Sequence, residues 1–332
     1  MNQIISLFQA AIVFGTIIMF GATGEILTEK AGNLNLGVPG IMYLGGISSL
    51  ASSFLYENAC KAAQVEPSAV LLVAIPVVCA FLASALGGLI FSFLTTTLRA
   101  NQNVTGLTLT IFAAGLANLF GGSLNKFAGG VGQIRVAATS TLFRSKIFSF
   151  LPLPDVVKQF LFSYGFMVYL AIIVAIAVHY YLNRTTAGLN LRAIGESPAT
   201  ADAAGINVTK HKYLATCVGA GISGMGGLYY VMDYTKGTWA NDGTIESLGW
   251  LAVALVIFST WKPIRSTWGS YLFGIFFWAF LYIPGLNRRT LEIFRMLPYL
   301  VTIIVLIAVS LRKRKEDQPP EALGLSYFRE ER

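Results

Sequence analysis

The sequence predicts an all-α fold, a polytopic transmembrane helical bundle of about nine helices (8–10), and three observations carry that expectation. First, 55% of the 332 residues are hydrophobic and only 12% are charged, against an ordinary charged share of roughly one in four. Second, runs such as IISLFQAAIVFGTIIMFGAT, AVLLVAIPVVCAFLASALGGLIFSFL and FMVYLAIIVAIAVHYYL meet or approach the roughly 20 apolar residues a helix needs to cross a bilayer. Third, these runs are too long for strands and most lack strict alternation. A chain in lipid must satisfy its own backbone hydrogen bonds, which leaves helices.

In chain order, spans are expected near 4–23, 36–56, 69–97, 106–120, 165–182, 213–232, 247–261, 267–285 and 296–311. The first has no basic region ahead of it and no small-residue cleavage site, so it reads as a retained span. The second opens on a polar stretch, EKAGNLNLGVPG at 29–40, and reads as a broken or re-entrant helix. The third exceeds a straight crossing, which means tilt, protrusion or a hidden break. The sixth carries GAGISGMGG at 219–227, whose small residues signal tight helix packing. Two segments are neither span nor short turn: an external loop at 121–164 and a cytoplasmic linker at 183–212. Loops this long usually do something. Residues 1–311 read as one transmembrane domain and 312–332 as a cytoplasmic tail.

Sidedness follows from Lys and Arg, which concentrate on the cytoplasmic side of membrane proteins. The linker carries Arg184, Arg192, Lys210 and Lys212; the connection 262–266 carries Lys262 and Arg265; the tail begins Arg312, Lys313, Arg314, Lys315. These three fall on one side. The loop 233–246 carries Asp233, Asp242 and Glu246 against Lys236 and falls on the other. Trp261 and Trp268, and Trp239 and Trp250, flank the two connections as aromatic belts do. Arg288, Arg289 and Arg295 are discordant. An odd span count puts the N-terminus outside.

Within the linker, Ser197, Pro198, ATADAA and Gly205 spell a serine N-cap, a proline in the first turn, an alanine-rich body and a glycine stop. They predict a short cytoplasmic helix of about two turns. Helices shorter than about 12 residues are marginal in water, so this one depends on packing, against the bundle surface or against a cytoplasmic partner.

The run GLNLRAIGESPATADAAGINVTKHKY resembles the coupling region of the membrane subunits of binding-protein-dependent ABC importers, in the branch serving branched-chain amino acids, simple sugars and nucleosides. TEKAGNLNLGVPGIMYLGG is similar to the segment after the first span in that branch, most closely in the nucleoside permeases linked to BMP lipoproteins. The order of spans, the external loop and the linker match as well, so the resemblance covers nearly the whole chain. It implies a permease of the bacterial cytoplasmic membrane that forms half of a translocation pathway for a small polar solute, most closely a nucleoside. Its partners are then ABC ATPase subunits, a second permease subunit of a different chain, and an extracytoplasmic substrate-binding lipoprotein. The short helix becomes the coupling helix, seated in a groove of the ATPase. Arg192, Ala193, Gly195, Glu196, Ala199, Ala201, Ala203 and Gly205 match the family pattern there. Small residues let a short helix seat closely, and Arg192 and Glu196 offer charged contacts that fix its angle. The external loop departs from the family in its Lys126, Arg135, Arg144, Lys146 and Lys158.

A polar break at membrane depth is tolerated only where it is buried in protein or lines a watery cavity. For a transport chain the expectation is that Asn33, Asn35, Gly37 and Pro39 border the pathway, with amides offered to solute hydroxyls and ring nitrogens. The plainer reading is a cytoplasmic turn in which Asn35 caps the following helix. Asn118, an amide inside the fourth span, is open between pathway lining, an interhelical hydrogen bond and the wet outer boundary. Glu25, beside a loop, reads as a solvated charge.

No catalytic or metal cluster is expected. Cys60, Cys79 and Cys217 fit no ligand spacing, and His179 and His211 stand apart. The chain has no GxxxxGK[ST] sequence, so it holds no cofactor in that way, and ATP with its Mg belongs on the partner ATPase. The net charge of +8 is scattered, which argues against nucleic acid. A sugar or a branched-chain amino acid is the alternative solute. An ion-coupled secondary transporter is the alternative class, disfavoured because the spans carry almost no internal charge.

Overall fold

The computed structural model describes residues 2–127, 134–146, 154–240, 242–282, 288–312 and 317–328. The helices are α1 (Asn2–Glu29), α2 (Val38–Ala62), α3 (Ala69–Ser92), α4 (Gln102–Phe127), α5 (Ala137–Phe143), α6 (Asp155–Leu161), α7 (Phe166–Arg184), α8 (Thr186–Glu196), α9 (Pro198–Ala203), α10 (Val208–Tyr229), α11 (Thr244–Phe258), α12 (Pro263–Ala279) and α13 (Arg288–Arg312). The only extended pairing among the described residues is a bridge between Arg135 and Thr238. Part of the external loop (128–133 and 147–153), the basic tail run at 313–316 and the side chains of Arg288, Arg289 and Arg295 lie outside the described residues.

Each expected span falls on a helix, the end of the eighth, 283–285, lying outside the described residues. Seven of these, α1, α2, α3, α4, α7, α10 and α13, are long and apolar enough to cross a membrane. The other two, α11 and α12, are shorter, at 15 and 17 residues. The extra length of the third span becomes a π-helical turn, Phe93–Thr97, and α10 likewise ends in one at Tyr230–Tyr234. The first span runs six residues beyond its expected end at 23, to Glu29. The polar stretch after it forms the connection ahead of α2, and α2 itself is continuous from Val38 to Ala62.

The bundle is organised around α10, which packs on α1, α2 and α3. Of its best apolar window 78% is buried, against 12% for α13, so the first is central and the second peripheral. Lipid gives helices no hydrophobic reason to associate, so close backbone approach does the work. A Cβ added at Gly45 would strike the Gly224 carbonyl, one at Gly24 the Gly219 carbonyl, and one at Gly227 the Met42 carbonyl.

The connections sort to two ends. At one, Thr139 donates to Glu57 through its amide (2.9 Å) and hydroxyl (2.8 Å), Val136 N donates to Gly237 O (2.9 Å), and Gln9 Nε2 donates to Gln159 O (2.9 Å). At the other, here the linker end, the tail meets α8 and α9 and also the α11–α12 turn. Three readings are corrected. Glu25 is no solvated charge: it is 1% exposed. Trp239 and Trp261 are buried inside the protein rather than placed in a lipid-facing belt, whereas Trp268 is 76% exposed. Lys212 does not hang from the linker; it lies in the first turns of α10 and is 3% exposed.

Candidate functional site

The first candidate is a polar knot at the linker end. Glu25 and Glu29 are four residues apart and share a face of α1. Glu25 Oε1 accepts from Asn35 N (3.1 Å), and Glu29 Oε2 accepts from the Trp261 indole. Between α1 and α2 the chain turns at Gly32, whose φ of +83° suits glycine. Asn35 Oδ1 then accepts from Gly37 N two residues on (2.9 Å), an Asx turn that leads into α2. Gly37 is the N-cap of α2, and Pro39 sits in its first turn, where a missing N–H costs nothing. Asn33 Nδ2 donates to Thr216 Oγ1 on α10 (2.9 Å), and Leu34 N donates to Gln102 Oε1 at the start of α4 (2.6 Å). A Cβ at Gly40 would stand 2.6 Å from Thr110 Cα, so glycine there lets α2 and α4 touch.

The knot therefore ties α1, α2, α4, α10 and the α11–α12 turn together. Asn33 and Asn35 are enclosed by protein, each 1% exposed. Asn35 Nδ2 is buried with no hydrogen-bond partner. Asn118 is not brought to this cluster: it lies 12 residues beyond Gly106, which abuts Leu36, or about 18 Å along α4. Its Oδ1 is likewise buried without a partner. Glu25, Glu29, Gln102, Thr216 and Trp261 were absent from the expected site. The i, i+4 carboxylates at the end of an apolar span were the available signal, since ionisable groups there are costly.

The second candidate is the linker. The capped helix expected at 198–204 is α9, with Ser197 Oγ accepting from Thr200 N (3.4 Å) and Gly205 at φ +84°. A second helix, α8, precedes it, capped by Thr185 Oγ1 accepting from Gly188 N (3.0 Å). Ala201 packs with Ile194 and Val208, flanked by Ile206 and Tyr327. Ala193, Glu196, Ala199, Ala203 and Gly205 are exposed, and Arg192 is half-buried with its Nε unpartnered. Gly195 faces inward, where a Cβ would strike the Lys30 carbonyl.

The tail closes over both candidates. Ala322 N donates to Gly195 O (2.9 Å), Gly324 N to Gly32 O (3.2 Å), and Tyr327 Oη to Asp202 Oδ2 (2.8 Å). Asp317 Oδ1 meets Lys262 Nζ at 2.7 Å and Arg265 at 2.9 Å. The hydrogen bond from Lys262 holds the Asp317 carboxyl below the usual carboxylate range; partial burial opposes this and Arg265 reinforces it. Burial holds the Lys30 ammonium below its usual value, opposed by Glu196 and reinforced by Arg192 and Lys262.

The described chain is thus a many-helix membrane bundle with a buried polar knot and a small-residue helix exposed at one end. The model of the permease component of the branched-chain amino acid transport system matches residues 7–306, and the chain belongs to that family. It is the permease subunit of an ABC transporter, a multi-pass protein of the inner membrane, and not an enzyme; the ATPase is a separate subunit. It is similar to the nucleoside ABC transporter permease protein NupC of Lactococcus lactis subsp. cremoris, 30% identical over 96% of this chain and 95% of the relative. The guanosine ABC transporter permease protein NupQ of Bacillus subtilis is 29% identical over 99% of each. A putative glucose ABC transporter permease protein, TsgC13 of Haloferax volcanii, is 30% identical over 81% of this chain and 75% of the relative. No solved structure matches the chain.

Proposed function

We propose that the chain forms half of the import pathway for a nucleoside and that α9 is its coupling helix, held on the cytoplasmic face against an ATPase that binds ATP and Mg. The observation that carries this is α9 itself. It is too short to be stable alone, seats Ala201 inward against the bundle, and presents Ala199, Ala203 and Gly205 outward. An exposed surface of small residues beside Glu196 suits close seating in another protein. The near full-length similarity to permeases named for nucleosides supports the solute. The glucose permease relative supports a sugar as the second reading. A different second permease chain and an extracytoplasmic binding lipoprotein complete the proposed complex.

Asn33, Asn35, Gly37 and Pro39 then form the inner end of the pathway, where the knot must loosen for the solute to leave, and Asn118 stands nearer its outer mouth. Reconstituted complexes test the reading. Glu196→Arg and Ala201→Pro are expected to insert normally and to lose most of the stimulation of ATPase activity by loaded binding protein. Normal stimulation and uptake in both variants would overturn the coupling role. Competition of radiolabelled uptake by nucleosides, ribose and leucine tests the solute; displacement by ribose or leucine alone excludes the nucleoside.

A further inference from the structure

Beside α9, at the linker end, lies a cavity of about 690 Å³. Its walls come from the π-helical turn after α3, the loop carrying Arg99, the first turns of α10 and tail residues Ser326 and Tyr327. Lys212 lines it while 3% exposed, and among the described residues no hydrogen bond or carboxylate within ion-pair distance compensates its ammonium. With its stem buried and no described carboxylate beside its ammonium, Lys212 favours an anion in the cavity. Lys210 and Arg99 line the same space, against one carboxylate, Asp202, which accepts from Tyr327. The Thr96 hydroxyl on its wall is buried without a partner. The N-terminus of α10, a helix of 22 residues, opens onto it at Val208 and Thr209. Helix N-termini carry partial positive charge and favour anions.

We propose that this cavity binds a phosphate-bearing ligand. Three cations and a helix N-terminus surround one volume, which suits an anion with several acceptor oxygens. The volume lies in the range of small-molecule sites, roughly 300–1,000 Å³, so the phosphate comes attached to a larger polar group. The source is either an anionic phospholipid headgroup, whose phosphate has no attached cation to neutralise it as choline does, or a soluble phosphorylated metabolite. Because Tyr327 both lines the cavity and bonds Asp202 of the exposed linker helix, occupancy also reinforces the seat of α9.

The test uses the full complex in phosphatidylcholine nanodiscs and follows the unfolding midpoint of the permease. One arm titrates inorganic phosphate against chloride at matched ionic strength. The other replaces part of the phosphatidylcholine with phosphatidylglycerol. The midpoint of the unaltered protein is expected to rise by several degrees in at least one arm, the arm identifying the source. Lys212→Met is expected to raise the midpoint in phosphatidylcholine alone, because it removes an ammonium with no described carboxylate beside it, and to abolish the rise in both arms. Lys210→Gln, at an exposed position, is expected to weaken the response by roughly tenfold in concentration. No rise in either arm, or a rise that survives both substitutions undiminished, overturns the proposal.

Discussion

Glu29 closes α1 with an oxygen on the Trp261 indole, a partner 232 residues away in the chain. A charged residue at the end of an apolar run looks like the end of the span, because nothing local reveals what neutralises its polarity. That is why the first span reads as ending at 23 and why Glu25 reads as solvated. The Asn35 turn was more legible, since Asn, Gly and Pro each carry a local backbone preference. Trp261→Phe keeps an aromatic ring but removes the donor, leaving a buried carboxyl oxygen unpaired at a cost of about 1–3 kcal/mol, to which the lost indole volume adds. The expected outcome is a lower unfolding midpoint in lipid nanodiscs. An unchanged midpoint would mean that the contact contributes nothing to stability. Trp261 and its neighbour Thr260 both have positive φ, at 54° and 52°, so this turn holds its shape through surrounding contacts.

At the scale of elements, α9 was readable because its stops are local: Ser197, Pro198 and Gly205 act within a few residues. The preceding α8 was not singled out, although its buried positions Gly188, Leu191, Ile194 and Gly195 follow helical spacing. Glycine in the long helices separates packing from composition. Gly45 faces the Gly224 carbonyl, and a methyl group there forces α2 and α10 apart, an overpacking cost of typically 1–3 kcal/mol. Gly115 in α4 has nothing within 4 Å of an added Cβ. Gly45→Ala is expected to reduce the yield of folded protein, and Gly115→Ala to leave it equal or raise it, since alanine is the better helix former by up to about 1 kcal/mol. Equal yields for both variants would contradict the packing argument.

For the molecule as a whole, the charge pattern anticipated the convergence of the linker, the 262–266 connection and the tail at one end. It did not anticipate that Asp317 joins Lys262 and Arg265. A tail of mixed charge after the last span carries no periodicity, and its contacts depend on surfaces built elsewhere in the chain. Because the folded Asp317 pKa is lowered, this tether is complete above about pH 4 and fades as pH falls through the folded value. Protection of the amides of residues 317–328 against hydrogen exchange, taken relative to the intrinsic rate at each pH, is expected to fall in Asp317→Asn at neutral pH and in the unaltered protein under acid. Equal protection in both proteins at neutral pH would show that the backbone bonds of Ala322 and Gly324 suffice.

The tail also joins two parts that are far apart in sequence. Through Ala322 and Gly324 it is bonded to Gly195, at the end of α8, and to Gly32, between α1 and α2. The two anchors also touch directly, Gly195 against the Lys30 carbonyl, so a tilt of α8 is expected to be felt at the α1–α2 connection both through that contact and through the tail. A fluorophore on the exposed side chain of Leu325 sits beside that junction, and a change in its emission during turnover is the expected sign that the two anchors move together.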